Sequence, residues 1–119
     1  MVLAEFKSKA QEKREEKEIY KIWADTIKDR DGRTCLICGS THDLASHHLC
    51  PREHKLWLLE LDNGITLCCK HHKFCRNISA HNNPFAFFLW LERYRPQLYA
   101  ILRARQRMIL EKQEGIIIP

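Results

Sequence analysis

The chain has 119 residues and a formal net charge of +5, enough for one domain with a modest core that a bound metal would help to hold together. Its longest apolar run, from Phe85 to Leu91, is far shorter than the roughly 20 residues of a membrane span, so we expect no membrane partner. The first residues lack the apolar stretch of a secretory signal, which predicts a cytoplasmic, reducing environment. There, six cysteines favour metal binding over disulfides.

Charge is unevenly distributed along the chain. Residues 1–31 carry eight basic and eight acidic side chains, so the whole positive excess lies in residues 32–119. Such an excess favours a polyanionic partner, nucleic acid first, although ordinary solubilising charge explains it about as well.

The first segment predicts one long helix from Leu3 to about Lys28, because it lacks Gly and Pro and is rich in helix-forming residues. Its early part has little to bury, and we interpret it as a solvated extension rather than a protein-docking arm. Asp29 to Gly32 is a turn signal that ends the helix. The apolar stripe that should pack on the domain lies in the last turns and consists of Ile19, Tyr20, Trp23 and Ile27.

Two pairs of potential metal ligands follow. Cys35 and Cys38 have the spacing of a zinc knuckle, and no thioredoxin-like pattern surrounds them to suggest a redox pair. Cys68 and His71 lie one turn apart if the stretch CCKHHKFCRN is a helix, as its lack of Gly and Pro predicts. The four residues predict a closed Cys₃His site of the structural zinc type, with Cys69 as the main rival ligand.

Other polar side chains lie between and beside these pairs. His47 and His48 fall on a predicted strand from Leu44 to Leu49, where neighbours point to opposite faces and should have different roles. His72 lies about 100° around a helix from the zinc ligand before it, so it faces elsewhere. A strand, a turn with Asn63, a second strand and a helix would gather these side chains into a second site.

The order of these elements resembles the HNH endonuclease family with its ββα-metal fold, especially small phage-type members. The matching elements are CxxC, His-His-hydrophobic, Asn-Gly-Ile-x-Leu-Cys and a final His-His, over about residues 33–84. The resemblance matches His48 to the first H of the family name, Asn63 to the N and His72 to the last H. His47 stands where the family often has a metal-binding Asp.

The resemblance implies hydrolysis of DNA phosphodiester bonds that leaves a 5′-phosphate and a 3′-hydroxyl. His48 would activate water as the base, while His47, His72 and the Asn63 oxygen would hold one divalent ion. The exchange of Asp for His47 should shift preference from Mg²⁺ toward Mn²⁺, Ni²⁺, Co²⁺ or Zn²⁺. Asn63 is either a direct ligand or a brace of its loop, and the sequence does not choose.

Several basic side chains are candidate phosphate contacts. Arg52 and Lys55 lie in the segment that joins the two strands, beside the expected cleft. Many relatives have another histidine four residues after the last H, and this chain has Arg76 there. Whether Arg76 contacts phosphate or His81 substitutes as a ligand is left open.

The last segment predicts two helices. Asn83 should cap a helix that starts at Pro84, and the following FAFFLWLERY stretch is expected to be buried on most sides. Pro96 should break or restart the helix. The pair Arg103 and Arg107 fits a DNA-backbone grip, but a solvated charged face is the commoner explanation.

We therefore expect a mainly α, zinc-stapled single domain with a small ββα-metal module. Its parts are a long N-terminal helix in residues 1–31, the nuclease core in residues 32–83 and a C-terminal helical segment in residues 84–119. The expected function is metal-dependent DNA nicking with little sequence specificity by a monomer or weak oligomer. The alternatives are a non-catalytic, zinc-stapled nucleic-acid-binding module, and a component of phage DNA packaging in the host cytoplasm that acts with terminase and portal proteins.

Overall fold

The chain is mainly helical with one small antiparallel sheet, in a computed structural model that describes residues 6–119. This confirms the coarse fold class expected from the sequence. None of the helices in that range combines the length and apolar composition needed to cross a bilayer. The regular elements are α1 (Lys9–Arg30), β1 (Leu44–His48), β2 (Gly64–Cys68), α2 (Pro84–Tyr94) and α3 (Pro96–Ile109).

Helix α1 starts where Ser8 caps it, its hydroxyl accepting a hydrogen bond of 3.1 Å from the Gln11 N–H. The predicted start at Leu3 lies outside the described residues. Trp23 and Ile27 are buried as expected, whereas Ile19 is 50 % exposed, so the predicted apolar stripe is too long at its beginning.

The end of α1 is fixed to the sheet by side chains that bond to backbone. The Arg30 guanidinium donates to the carbonyls of Leu61, at 2.6 Å, and Gly64, at 2.7 Å. The Asp31 carboxylate accepts from the N–H of Thr66 at 2.9 Å. The turn signal therefore both ends the helix and docks it on β2.

The two strands pair in a fixed antiparallel register, in which Leu44 lies opposite Cys68 and His48 lies opposite Gly64. Every residue of β2 is buried, because α1 covers one face of the hairpin and α2 with α3 covers the other. The core between the hairpin and these two helices is formed mainly by apolar side chains, those of Leu49, Ile65, Leu67, Phe87, Leu91 and Leu102.

Two expectations about helices are wrong. The stretch CCKHHKFCRN forms only a single π-helical turn, Lys70–Phe74, and Cys75 is already extended. Helix α2 starts at Pro84 under an Asn83 cap, as predicted, but only one of its faces is buried. Within residues 6–119 no element covers its outer face, so other large apolar residues stay exposed, among them Phe85, Phe88, Leu89 and Tyr94.

The C-terminal segment folds back on α3. The Arg107 guanidinium donates a 2.6 Å hydrogen bond to the carbonyl of Ile118, so it is engaged within the chain. Arg105 forms an ion pair of 2.7 Å with Asp62 and lies over the ring of Trp57. These contacts tie α3 to the loop before β2.

Candidate metal and catalytic site

The four predicted zinc ligands converge on one point. Cys35 and Cys38 lie on a tight turn in which the Gly39 N–H bonds to the Cys35 carbonyl at 2.7 Å, with Gly39 at a φ of +76°. Cys68 ends β2, and His71 follows in the π-helical turn. The ligand atoms of all four residues lie within 4.8 Å of one another.

Their spacing fits a tetrahedral ion. Zinc–sulfur bonds of about 2.3 Å place two sulfurs about 3.8 Å apart. The Cys38 and Cys68 sulfurs are 3.7 Å apart, and the His71 Nδ1 lies 3.3 Å from the Cys68 sulfur and 3.9 Å from the Cys35 sulfur. This cluster could bind a metal such as zinc, with all four positions supplied by protein. Cys69, the rival ligand, is exposed and outside it.

The protonation of the thiols makes metal binding sensitive to pH. Burial, the largest cause, raises the pKa of the Cys68 thiol to about 11. Burial also acts to raise the pKa of Cys35, but hydrogen bonds from the backbones of Cys68, Cys38 and Ile37 outweigh it and leave that pKa lowered. A metal must displace a proton from Cys68, so its affinity falls as the pH falls.

A second cluster consists of three imidazoles, those of His47, His72 and His81. One nitrogen of each ring lies within 4.8 Å of the other two, and the Nε2 atoms of His72 and His81 are 3.1 Å apart. His47 comes from β1 and His72 from the π-helical turn. His81 reaches them because its N–H bonds to the His72 carbonyl at 3.0 Å, which lays the loop before α2 alongside that turn.

Two of these imidazoles, those of His47 and His72, are neutral near physiological pH. Burial, followed by the nearby His72, His81 and His48, lowers the pKa of His47 to about 3. Burial, followed by His81 and Lys73, lowers the pKa of His72 to about 4. Neutral rings offer nitrogen lone pairs, so the set has the chemistry of a divalent-metal site.

His48 points to the other face of β1, as strand alternation predicts. Its ring stacks on the indole of Trp23 at 4.1 Å between centroids, and Tyr20 lies 5.4 Å away. Its Nε2 is 3.0 Å from the carbonyl oxygen of Leu58. Because a carbonyl only accepts, Nε2 carries the hydrogen in the neutral ring, and Nδ1 keeps a lone pair that can take a proton.

Burial is the main reason that the pKa of His48 is lowered from its ordinary value. The hydrogen bond to Leu58 opposes this shift, and the positive charge of Arg52 adds to it.

All four of these histidines border one open cleft of about 530 Å³. His47 and His48 point to opposite faces of β1, but they are the last two residues of the strand, so both rings can border the cleft at its end. Arg52 and Lys73 add positive charge to the cleft, and Tyr20 and Phe88 add aromatic surface. The cleft therefore combines a potential metal site, a neutral imidazole with a free lone pair, and cations that suit a phosphate.

The remaining sequence candidates lie elsewhere. Asn63 is buried, its Oδ1 accepts from the Cys50 N–H at 2.8 Å, and it is not among the residues that line the cleft. This is the loop-bracing arrangement, not the ligand arrangement. Lys55 lines a neighbouring groove. Arg76 is not among the residues that line the cleft, and its carbonyl accepts from the Asn83 side chain at 3.1 Å.

His81 is the site residue that the sequence left open. It takes the third place beside His47 and His72, although it comes from a loop and not from the helical register after His72. Comparisons with protein-family models, with curated proteins and with solved structures each find no match to this chain. The residues and their geometry therefore carry the functional interpretation.

Proposed function

We propose that this chain is a divalent-metal-dependent endonuclease that hydrolyses DNA phosphodiester bonds, with a zinc-stapled ββα-metal core of the HNH kind. One observation carries the proposal: a cluster of three imidazoles and a fourth imidazole with a free lone pair border the same basic cleft. The zinc would occupy Cys35, Cys38, Cys68 and His71 and hold the knuckle against the end of β2.

The second ion would be held by His47, His72 and His81. Once bound, a divalent ion supplies Lewis-acid stabilisation of the scissile phosphate and of the departing 3′ oxygen. An all-imidazole ligand set suits Mn²⁺, Co²⁺, Ni²⁺ or Zn²⁺ better than Mg²⁺, which prefers oxygen. Asn63 acts in this scheme by bracing the loop after β1 through Cys50 and not as a ligand.

His48 is the general base. Its Nδ1 takes a proton from water, which then attacks phosphorus, and its Nε2–H stays bonded to the Leu58 carbonyl. Stacking on Trp23 holds the ring plane during this transfer. The products would be a 5′-phosphate and a 3′-hydroxyl.

The substrate contacts are expected to be mainly to phosphate. Arg52 and Lys73 line the cleft, and cations of this kind position a backbone without reading bases, so little sequence specificity is expected. Nicking is the simplest outcome, because the described part of the chain forms one such cleft. A role in phage DNA processing or packaging, beside terminase and portal proteins, follows only from the family that the sequence resembles.

The alternative function is a non-catalytic module that binds nucleic acid through the same cleft. The zinc cluster and the positive charges serve that role equally well, because neither depends on His48. The two functions differ in one outcome, strand breaks that depend on His48.

The test is a supercoiled-plasmid assay with added Mn²⁺. We expect the parent chain to nick the plasmid, EDTA to stop it, and His48→Ala to bind DNA normally but to lose about 10²-fold or more in rate. His42→Ala is the matched control, because His42 is exposed and belongs to neither cluster. Equal nicking by His48→Ala and the parent would overturn the assignment, and the absence of nicking with every metal would favour the binding module.

A further inference from the structure

A second groove runs beside the cleft, between α1 and the segment that follows β1. It is partly open to solvent and has a volume of about 450 Å³. Its polar lining comes from Lys13, Glu16, Lys17, Tyr20, Arg52 and Lys55, and Ile19, Leu58 and Leu59 form its apolar part.

The groove concentrates positive charge that the helix as a whole does not have. Residues 1–31 are balanced in charge, yet Lys13 and Lys17 turn to the groove with only Glu16 to offset them. Lys13, Lys17 and Tyr20 are spaced i, i+4, i+7, so they share one face of α1. Arg52 and Lys55 face them from the other wall. Four cations against one carboxylate suit a polyanion with regularly spaced charges.

Two residues join this groove to the cleft. Tyr20 and Arg52 line both, and the Arg52 guanidinium lies over the Tyr20 ring at 4.7 Å. The same Tyr20 ring lies 5.4 Å from the ring of His48. A strand with one phosphate beside His48 thus has a continuous basic path from the cleft into the groove.

We propose that the DNA strand bound in the cleft continues past Tyr20 and Arg52 into this groove, where Lys13, Lys17 and Lys55 contact its phosphates. This inference rests on the proposed function for the direction of the strand. The helix rises about 1.5 Å per residue, so Lys13 to Tyr20 spans about 10 Å. Phosphates of one duplex strand recur about every 3.4 Å along the axis, so the groove covers about three of them.

The apolar lining does not compete with this assignment. Ile19 and Leu59 are 50 % and 44 % exposed, so they form a shallow floor between the basic side chains. Backbone sugars have apolar faces that can lie on such a floor. The α1 extension thereby gains a specific role as one wall of a DNA path.

The experiment measures how binding depends on salt. A labelled duplex of about 20 base pairs is titrated with the full chain, in the His48→Ala background and without added divalent ion, so that nothing is cut while the zinc stays in place. Lys13→Gln with Lys17→Gln removes two groove cations. Arg14→Gln with Lys21→Gln removes two cations from the same helix that are exposed and do not line the groove.

We expect the slope of log affinity against log salt to become shallower by about 2 for the groove pair, with weaker binding at low salt, and to stay unchanged for the control pair. Equal changes of slope in the groove pair and the control pair would overturn the groove assignment. An unchanged slope in both pairs would also overturn it, and would fit a groove that binds an acidic protein segment instead.

The plasmid assay separates this result from the proposed function. If the parent nicks but the groove pair binds normally, the groove assignment fails and the nuclease stands. If no variant nicks but the groove pair lowers the slope, the nuclease fails while the groove still binds DNA.

Discussion

The imidazole of His48 lies flat against the indole of Trp23, with the two planes only 4° apart. The indole is itself fixed, because its Nε1–H donates to the carbonyl of Glu60 at 2.9 Å. Gly64, the strand partner of His48, leaves the space that the indole occupies. His48, Trp23 and Gly64 therefore form one packed unit, through which helix α1 sets the position of His48 on β1.

This unit predicts a large effect for Gly64→Ala. An added Cβ would lie 2.6 Å from the Trp23 Cζ2 and 2.8 Å from the Ile27 Cδ1, which is closer than packed atoms tolerate. We expect a loss of about 1–3 kcal/mol in the free energy of unfolding, measured by urea denaturation, together with slower nicking.

Trp23→Phe supplies the control, because phenylalanine lacks the atom nearest to the new Cβ. In that background Gly64→Ala should cost less, although not nothing, since Ile27 remains. Strictly additive losses in the double variant would show that the glycine matters for another reason.

The features that the sequence predicts well depend on residues close together in the chain. Alternation along β1 separates His47 from His48, the Asn83-Pro84 pair starts α2, and the spacing of Cys35 and Cys38 forms the knuckle. Each follows from local backbone geometry and side-chain reach. No knowledge of the tertiary fold is needed for them.

The features that the sequence leaves open depend on contacts between distant segments. Asn63 braces its loop because the Cys50 N–H, thirteen positions earlier, claims its oxygen. His81 joins the imidazole cluster because the backbone from Ala80 to His81 pairs with the carbonyls of His71 and His72. Such pairings are fixed only when the chain folds, and they leave no periodic pattern in the sequence.

The two adjacent cysteines at the end of β2 should differ sharply in their effect on zinc. Cys68 is one of the four clustered ligands, whereas Cys69 is exposed and outside the cluster. By elemental analysis, we expect Cys69→Ser to hold as much zinc per chain as the parent, and Cys68→Ser to hold one zinc less. The loss should cost several kcal/mol of stability, because zinc binding is coupled to folding.

A chelator provides the matching measurement. It should lower the melting temperature of the parent and of Cys69→Ser but leave the melting temperature of Cys68→Ser unchanged. Equal zinc contents in Cys68→Ser and the parent would mean that Cys68 is not a ligand of the proposed site.

His81 should affect the metal requirement, and Arg76 should not. His81 offers a nitrogen within 4.8 Å of those of His47 and His72, so His81→Ala removes one of three proposed ligands. The Mn²⁺ concentration for half-maximal nicking should rise about tenfold or more, since even residues that only support a metal ligand have effects of that size. Arg76→Ala should leave the Mn²⁺ dependence near that of the parent. The reverse pattern would exclude His81 as a metal ligand and would give Arg76 an indirect role in the metal requirement.

The pH dependence of nicking should report the environment of His48. The base works only when neutral, so the rate falls as the pH falls through the pKa of His48. Burial, with a further contribution from Arg52, lowers that pKa below its ordinary 6.5, so the fall should occur below pH 6.5 at saturating DNA and Mn²⁺.

Arg52→Gln removes a positive charge that disfavours protonation of His48, so the acid limb of its pH profile should move to higher pH. Lys73→Gln removes an equal charge from the same cleft, but Lys73 is not among the causes of the His48 shift, so its limb should stay in place. Equal shifts in the two variants would indicate a general effect of cleft charge, and a parental limb at or above 6.5 would exclude the buried His48 as the base.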